Sequence, residues 1–253
     1  MSLVRRVAAG GFAVMAVIVA CNGSNPVEVK RNPTLPLIAS YPLSFTEPSG
    51  LAVDETGTRL WAVSNHPEKV HELDLTGTVV KTLKYDGHDL EAVAYDPRDK
   101  TLWVAEENRR EVVHLDLEGN VLSTYATGLT GEQNSGLEGL CLTDSGRVYA
   151  LNEKHPGLFV TLKSDLTIDT LQLLTFAGDY SGMEYDVARS AFWITSDQSR
   201  ALYLWSPTGG VLQAYDLQLP KPEGVAFDAA ANRFYIVSDS TNTLYVFDGP
   251  ASP

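Results

Sequence analysis

In five short segments of the chain, a residue with an oxygen atom in its side chain precedes a small residue. The polar residues are Ser49, Glu91, Glu138, Ser181 and Glu223, and the small residues that follow them are Gly50, Ala92, Gly139, Gly182 and Gly224. Successive polar positions are 42, 47, 43 and 42 residues apart. Because carboxylates and hydroxyls are oxygen ligands, a fold that gathers these segments would form a ring suited to a hard cation.

A second polar set follows each of these positions by 15 or 16 residues. Its members are Asn65, Glu107, Glu153, Asp197 and Asp239, each preceded by another polar residue: Ser64, Glu106, Asn152, Ser196 and Ser238. If both sets share one face, their carboxylates repel one another unless a cation or protonation relieves the repulsion. The alternative is that these residues form turns and are simply hydrated at a wet channel mouth.

The oxygen-only character of this set favours Ca²⁺, which accepts six to eight oxygen ligands in irregular geometry. The metal ligands we predict are Glu91, Glu138, Glu223, Glu107, Glu153, Asp197 and Asp239. With two cysteines and no cluster of histidines, the chain does not fit a structural zinc site.

The spacing of the repeats also predicts the fold that positions these residues. A period of 42–47 residues is typical of a four-stranded propeller blade. Each repeat shows the same order of apolar runs, and the second run lies at residues 60–63, 102–105, 148–151, 192–195 and 234–237. Since turns rich in Gly, Asp and Asn separate these runs and no helical periodicity is present, we expect an all-β, five-bladed propeller.

The last repeat has only three predicted strands, and residues 35–45 precede the first repeat without a blade of their own. We therefore expect residues 35–45 to supply the outermost strand of blade five and close the ring, which removes open sheet edges. The alternative is an open solenoid.

The N-terminus has the pattern of a lipoprotein signal. Arg5 and Arg6 precede an apolar run that ends at Cys21, and residues 18–21 read Ile-Val-Ala-Cys, which resembles a bacterial lipobox. We predict a signal peptide at residues 1–20, a lipidated Cys21 with a flexible tether at residues 21–34, and the propeller at residues 35–253. The alternative is an ordinary signal peptide with a chance cysteine.

Asn22 follows the cysteine where other lipoproteins carry aspartate, and by resemblance to known sorting signals this favours the outer membrane. The predicted location is the cell envelope, with the domain facing the periplasm and held on the membrane by the lipid.

The charge of the chain excludes one class of partner. Residues 1–20 hold two arginines and no acid, so the rest carries 17 basic and 32 acidic residues, a net charge of −15. A surface this acidic does not suit nucleic acid. Cys141 lies in an apolar strand pattern and is expected to be buried, and we expect a monomer.

Several motifs in fixed order carry a family resemblance. They are residues 89–91 (Asp-Leu-Glu), 136–139 (Gly-Leu-Glu-Gly), 152–156 (Asn-Glu-Lys-His-Pro), 179–182 (Asp-Tyr-Ser-Gly), 198–202 (Gln-Ser-Arg-Ala-Leu) and 222–226 (Pro-Glu-Gly-Val-Ala). Together with the five repeats they resemble the SdiA-regulated (YjiK-like) family over about residues 35–248. The resemblance implies a five-bladed propeller, membrane association in the cell envelope and a calcium site at the channel.

That family is distantly similar to NHL-repeat propellers and to the six-bladed calcium-dependent lactonases and esterases of the gluconolactonase type. In the latter, the acid or amide before the first-strand glycine binds the metal. Glu138 and Glu223 match that pattern, and Glu91 matches it apart from Ala92, whereas Ser49 and Ser181 depart from it.

Two functions follow from these observations. The first is a calcium-binding module that recognises a small molecule or an envelope protein over the channel mouth. The alternative is a calcium-dependent hydrolase, an esterase or lactonase, in which the metal polarises a carbonyl. The predicted ligand-binding residues are Asn65, His66, His88, Asn152 and His155. The three histidines are also the candidates for a general base, although each could be an ordinary loop residue.

Overall fold

The computed structural model describes residues 29–132 and 135–250. These residues form twenty β-strands in five four-stranded antiparallel sheets. The first strands of neighbouring sheets contact one another in a ring, so each sheet is a blade that radiates from a common axis. The predicted fold class, an all-β five-bladed propeller, is confirmed.

Each of the first four blades takes four consecutive strands, and the fifth combines the last three strands with the first. The strands are β1 (Leu37–Pro42); in blade one β2 (Thr46–Val53), β3 (Leu60–His66), β4 (Lys69–Leu73) and β5 (Val79–Thr82); in blade two β6 (Leu90–Asp96), β7 (Thr101–Glu106), β8 (Glu111–Leu115) and β9 (Val121–Ala126); in blade three β10 (Leu137–Leu142), β11 (Val148–Asn152), β12 (Leu158–Leu162) and β13 (Ile168–Leu173); in blade four β14 (Gly182–Asp186), β15 (Ala191–Ser196), β16 (Ala201–Ser206) and β17 (Gly210–Asp216); and in blade five β18 (Pro222–Asp228), β19 (Arg233–Ser238) and β20 (Thr243–Asp248).

The ring closes as the sequence predicts. Strand β1 pairs antiparallel with β20, from Leu37 opposite Phe247 to Pro42 opposite Thr243. The sheet order in blade five is therefore β1-β20-β19-β18. Because the N-terminal strand covers the edge of β20, the blade has the same four strands as the others.

Aspartates fix several of the turns at the ends of the strands. Between β4 and β5, one carboxylate oxygen of Asp74 accepts hydrogen bonds from the backbone N–H groups of Thr76 (2.8 Å) and Thr78 (3.0 Å). The turn is completed by Gly77, whose φ of 76° is in the left-handed region that favours glycine. Asp116 and Gly119 repeat this arrangement between β8 and β9.

The apolar core lies in layers between adjacent blades. Between blades four and five, Trp193 is fully buried and its ring meets Phe234 edge-on, with the ring centroids 4.7 Å apart. Cys141 is 2 % exposed in the layer between blades three and four, which confirms the predicted burial.

Small residues at the start of each first strand set the width of the channel. A Cβ atom at Gly50 would lie 2.6 Å from the Cα of Ala92, and one at Gly182 would lie 2.7 Å from the backbone oxygen of Glu223. Real Cβ contacts are longer than this, so larger side chains would push the first strands apart. The five small residues therefore let the strands converge and leave only about 10 Å³ of space at the middle of the axis.

The last part of the predicted tether contacts the propeller. The backbone N–H of Asn32 donates to the carbonyl oxygen of Ala214 (2.7 Å), and the guanidinium of Arg31 lies 2.8 Å from Asp216. Val29 packs on the core layer between blades three and four, whereas Leu35 lies in the layer between blades four and five. Residues 29–34 thus cross the outer edge of blade four, in contrast to the free tether expected for residues 21–34.

The predicted signal peptide and Cys21 lie outside the described residues. Within residues 29–132 and 135–250, no helix has the length and apolar character that a membrane crossing would need.

The closure of blade five can be tested by truncation. A chain that begins at residue 46 lacks β1 together with the buried side chains of Leu35, Leu43 and Phe45. Burying a side chain of this size contributes about 1.5–3 kcal/mol, so the truncation should cost about 5 kcal/mol or more. That is a large part of the free energy of unfolding of a typical domain, so we expect thermal unfolding to lose its cooperativity.

A chain that begins at residue 35 is the control, because it keeps β1 and loses only residues 29–34. An exposed ion pair such as Arg31–Asp216 contributes about 0–1 kcal/mol, so this chain should melt within a few degrees of the chain that begins at residue 29. Calorimetric traces that are alike for the two truncations would contradict the closure of the ring by β1.

Candidate functional site

One mouth of the channel opens into a cup of about 520 Å³ that is lined almost wholly by polar side chains. We call this the acidic cup. The predicted residues that line it are Glu91, Glu107, Glu138, Glu153, Asp197, Glu223, Asp239 and Asn65; the others are Glu47, Ser49, Asp89, Asn108, Lys154, Asp179, Ser181, Gln198 and Lys221. The structure therefore brings together all seven predicted metal ligands. They meet because the first strands begin, and the second strands end, at the same mouth of the channel.

The inner ring of the cup consists of the three glutamates that precede the small residues, Glu91, Glu138 and Glu223. Burial raises the pKa of Glu91 to about 8, and the charges of Glu107 and Asp89 add to the effect. Burial also raises the pKa of Glu138 and Glu223 well above the usual range, and for both the nearby charge of Glu91 acts in the same direction. The three carboxyl groups are therefore more stable when they hold protons or when a cation lies beside them.

Few donors compensate the inner ring. The amide of Asn65 donates to Glu91 (2.7 Å). Glu223 is 8 % exposed, and its nearest cation is the ammonium of Lys221, 3.9 Å away. Within the described residues no hydrogen bond reaches the carboxylate of Glu138, so its oxygens are available to a cation.

The outer ring comes from the turns that follow the second strands. The backbone N–H of Gly136 donates to one carboxylate oxygen of Glu107 (2.7 Å), and the side chain of Glu107 lines the cup. Glu153 pairs with Lys154, and Asp239 pairs with Lys221. Burial raises the pKa of Glu107, Glu153 and Asp197 as well, so the shift extends over both rings.

The structure adds three carboxylates that sequence reasoning missed, Glu47, Asp89 and Asp179. Asp89 accepts hydrogen bonds from the amide of Asn65 (3.2 Å) and the backbone N–H of Asn108 (3.2 Å). Asp179 accepts one from the hydroxyl of Ser196 (2.5 Å).

A signal for these residues is present in the repeats. Four cup residues each stand two positions before the polar residue that opens the repeat (Ser49, Glu91, Ser181 and Glu223): they are Glu47, Asp89, Asp179 and Lys221. Backbone angles support the equivalence, because Glu47, Asp89 and Lys221 all have positive φ values (53°, 57° and 46°). Comparison of this column across the repeats would have predicted a third polar ring.

Two groups of carboxylates come close enough to hold one cation each. One oxygen each from Asp89, Glu91 and Glu107 lie within 4.8 Å of one another, and the same is true of Glu107, Glu138 and Glu153. The groups share Glu107 and belong to blades two and three. Oxygen ligands at such separations suit a hard cation of the size of Ca²⁺.

The opposite side of the cup has a different character. There Lys221 lies close to both Asp239 and Glu223, so a fixed ammonium already neutralises part of the charge. Among the predicted metal ligands, Glu223, Asp197 and Asp239 belong to this side and lie outside the two close groups.

Of the five predicted ligand-binding residues, one lines the cup and four do not. Asn65 lines the cup. Asn152 is 4 % exposed, and its amide donates to the carbonyl oxygens of Lys154 (3.2 Å) and Pro156 (2.9 Å), so it holds the loop that carries Glu153.

The three histidines do not line the cup. All three are exposed: His66 is the last residue of β3, and His88 and His155 lie in loops. The imidazoles of His88 and His155 lie 3.9 Å from Glu68 and 3.7 Å from Glu132. The arrangement can concentrate and coordinate a cation, but it does not place an imidazole beside it.

Solved structures show the same fold with low sequence identity. A glutaminyl cyclase of Myxococcus xanthus superposes with a TM-score of 0.68 and 13% identity, over 86% of this chain and 97% of the other. A gluconolactonase of Xanthomonas campestris gives a TM-score of 0.57 and 14% identity, over 85% and 99% of the two chains. A chain of a nidogen/laminin complex gives a TM-score of 0.57 and 18% identity, over 79% and 75%.

At these identities the likeness shows the fold alone. No curated protein sequence matches the chain. The SdiA-regulated family, by contrast, matches residues 44–248, which include all five first strands and every residue of the two close carboxylate groups. The length of that match shows that the chain is a member of the SdiA-regulated family.

Proposed function

We propose that this protein is a cell-envelope lipoprotein whose propeller binds Ca²⁺ in the acidic cup and recognises a small ligand or an envelope partner there. The observation that carries the proposal is the pair of carboxylate groups that share Glu107, each with its ligand oxygens within 4.8 Å. The raised pKa values of Glu91, Glu138 and Glu223 add to it, because burial and neighbouring charges disfavour ionised carboxylates that have no cation beside them.

Electrostatics favour a bound cation over a cup that is merely hydrated. Ten carboxyl groups line the cup and only two lysines accompany them. Two unit charges 4.8 Å apart repel by about 3 kcal/mol at an effective dielectric constant of about 20. Several such pairs meet at Glu107 alone, and a divalent ion would replace their repulsion with attraction.

The donor set selects the type of ion. Carboxylate, amide and hydroxyl oxygens line the cup, and no thiol or imidazole is among its lining residues. Ca²⁺ binds such sets at six to eight positions with flexible geometry, whereas Mg²⁺ requires a near-ideal octahedron. The irregular ring of three glutamates and two serines therefore fits Ca²⁺ better.

A hydrolase is the less supported function. It needs a general base near the metal as well as the metal itself. The histidines that could serve, His66, His88 and His155, do not line the cup. We therefore favour a binding module, in which the ion offers its remaining positions to an oxygen-bearing ligand.

Calcium should stabilise the folded domain by mass action. At a hundredfold excess over the dissociation constant, one site contributes about 2.7 kcal/mol to the free energy of unfolding. For a domain of this size that corresponds to a rise in melting temperature of about 5–10 °C. Glu138→Gln should lose most of this response, because it removes one charge from the group around Glu107 and keeps the shape of the side chain.

The matched control is Glu118→Gln, because Glu118 pairs with Lys81 in the turn between β8 and β9 and does not line the cup. It should respond to calcium as the wild type does, and NaCl at equal ionic strength should produce no comparable shift. A melting temperature of the wild type that is the same in EDTA and in millimolar Ca²⁺ would refute calcium binding at the cup.

The metal-free domain should lose stability as the pH rises from about 5 to about 8. The folded-state pKa values of Glu91, Glu138 and Glu223 lie above the unfolded value of about 4.3, so the folded state binds more protons in this window. Their contribution is therefore complete below pH 4 and is lost as the pH approaches 8. Calcium needs ionised carboxylates, so its stabilising effect should grow over the same window.

Melting curves in EDTA and in Ca²⁺ at pH 6 and pH 8 measure both effects. Changing the three glutamates to glutamine should flatten the pH dependence in EDTA. If the metal-free wild type instead became more stable from pH 6 to pH 8, the inner ring would not carry the protons that its burial requires.

The proposed anchor rests on the sequence at Cys21. Lipidation there would hold the propeller on the periplasmic side of the envelope, with the outer membrane as the favoured location. Cys21→Ser should release the protein into the soluble fraction or leave the signal peptide uncleaved, which membrane fractionation and the mass of the mature chain would detect. A variant that stays in the membrane fraction with wild-type mass would show that Cys21 is not the anchor.

A further inference from the structure

The opposite mouth of the channel opens into a second cavity with different chemistry. We call it the lower cavity; its volume is about 320 Å³. The same repeat position of each first strand contributes an apolar side chain to its wall: Val53, Tyr95, Leu142, Tyr185 and Phe227. Three of these five are aromatic, so a ligand in this cavity would meet the rings of three blades.

Five acidic side chains also line the cavity, and of these Glu184 alone comes from the interior of a strand; the others are Asp54, Glu55, Asp144 and Asp228. Glu184 lies in the middle of β14, at the position that holds Ala52, Ala94, Cys141 and Ala226 in the other blades. The backbone N–H of Tyr185 donates to one of its oxygens (3.0 Å), and within the described residues no other hydrogen bond reaches the carboxylate. Among the residues that the structure describes, no lysine, arginine or histidine lines the cavity.

Two of the other acids at this mouth, Asp54 and Asp228, have structural roles that Glu184 lacks. Asp54 accepts hydrogen bonds from the backbone N–H groups of Thr58 (2.8 Å) and Arg59 (3.0 Å), and so fixes the turn after β2. Asp228 does the same after β18, where its carboxylate accepts from two backbone N–H groups. Glu184 lies inside a strand, so it fixes no turn. The other four blades have alanine or cysteine at this position, so the fold does not require a glutamate there.

Burial of the Glu184 carboxyl is unfavourable for its charged form, which supports a role for this residue outside folding. Burial raises the pKa of Glu184 to about 8, so the protein environment opposes its charge. A half-buried carboxyl that neither caps a turn nor pairs with a cation is more often functional than structural.

We propose that the lower cavity binds a small organic ammonium ion, with its charge on Glu184 and its apolar body against Tyr95, Tyr185 and Phe227. A carboxylate supplies a charge-assisted acceptor, and aromatic faces attract cations by their quadrupoles. The cavity has the volume of a site for a small molecule, and apolar side chains from all five blades lie beside its acidic groups.

A metal ion does not fit the same place. A hard cation requires several oxygen ligands close together. Among the described residues, the groups of three carboxylates whose oxygens lie within 4.8 Å of one another do not include Glu184. The lower cavity is also separate from the acidic cup, because the ring of small residues and the apolar side chains that follow it close the channel between them. Binding of an ammonium ion in the lower cavity therefore does not depend on calcium binding in the acidic cup.

Benzylamine, which is protonated at neutral pH, and neutral benzyl alcohol form a matched pair of probes. Titration of the full chain by calorimetry should show that benzylammonium binds with a dissociation constant of about 1 mM or tighter. Benzyl alcohol has nearly the same shape and lacks the charge, so it should bind at least about tenfold more weakly.

Glu184→Ala should weaken benzylammonium binding by at least about tenfold and raise the melting temperature, because it restores the residue type of the other blades. Glu184→Gln keeps the shape of the side chain and should also lose affinity. Glu138→Gln, a change in the acidic cup, should bind the probe as the wild type does.

Three results would overturn the inference. They are no binding of benzylammonium up to about 10 mM, equal binding of benzylammonium and benzyl alcohol, and unchanged binding by both Glu184 variants. Loss of binding in Glu138→Gln as well would assign the ammonium to the acidic cup instead.

Discussion

The close approach of five first strands at the channel axis is the constraint on which the rest of this structure depends. It requires a small residue at one position of every blade, since a Cβ atom at Gly50 or Gly182 would come within 2.7 Å of a neighbouring strand. The residues on either side of that position are then forced together. The residue before it enters one mouth of the channel, and the third residue after it enters the other.

This convergence gives the two mouths opposite characters. At one mouth, Glu91, Glu138 and Glu223 meet in a narrow ring, and their pKa values rise because burial and mutual repulsion oppose ionisation. At the other mouth, the same geometry collects apolar and aromatic side chains around Glu184. The plug of small and apolar residues between them keeps the two environments apart, so each can bind a different ligand without the other.

The fold was predictable because the repeats fix it. Period, strand order and the missing fourth strand of blade five follow from the chain alone, and the pairing of β1 with β20 confirms them. The seven acids of the cup were predictable for the same reason, since they recur at fixed repeat positions.

Asp89 and Asp179 were predictable as well, because their column recurs two positions before the polar residue of the first strand. Features of single blades were not predictable from the repeats. The loop at His155, for example, turns that histidine outward, and no repeat position indicates this. The docking of Arg31 on Asp216 depends on contacts between residues 185 positions apart.

Calcium binding in the acidic cup is tested most directly by anomalous scattering from a crystal of the protein soaked in Ca²⁺ or Mn²⁺. For Ca²⁺ we expect a peak in the acidic cup at about 2.3–2.6 Å from carboxylate oxygens of Glu107 and its neighbours. An acidic cup without a peak at saturating metal would contradict calcium binding there.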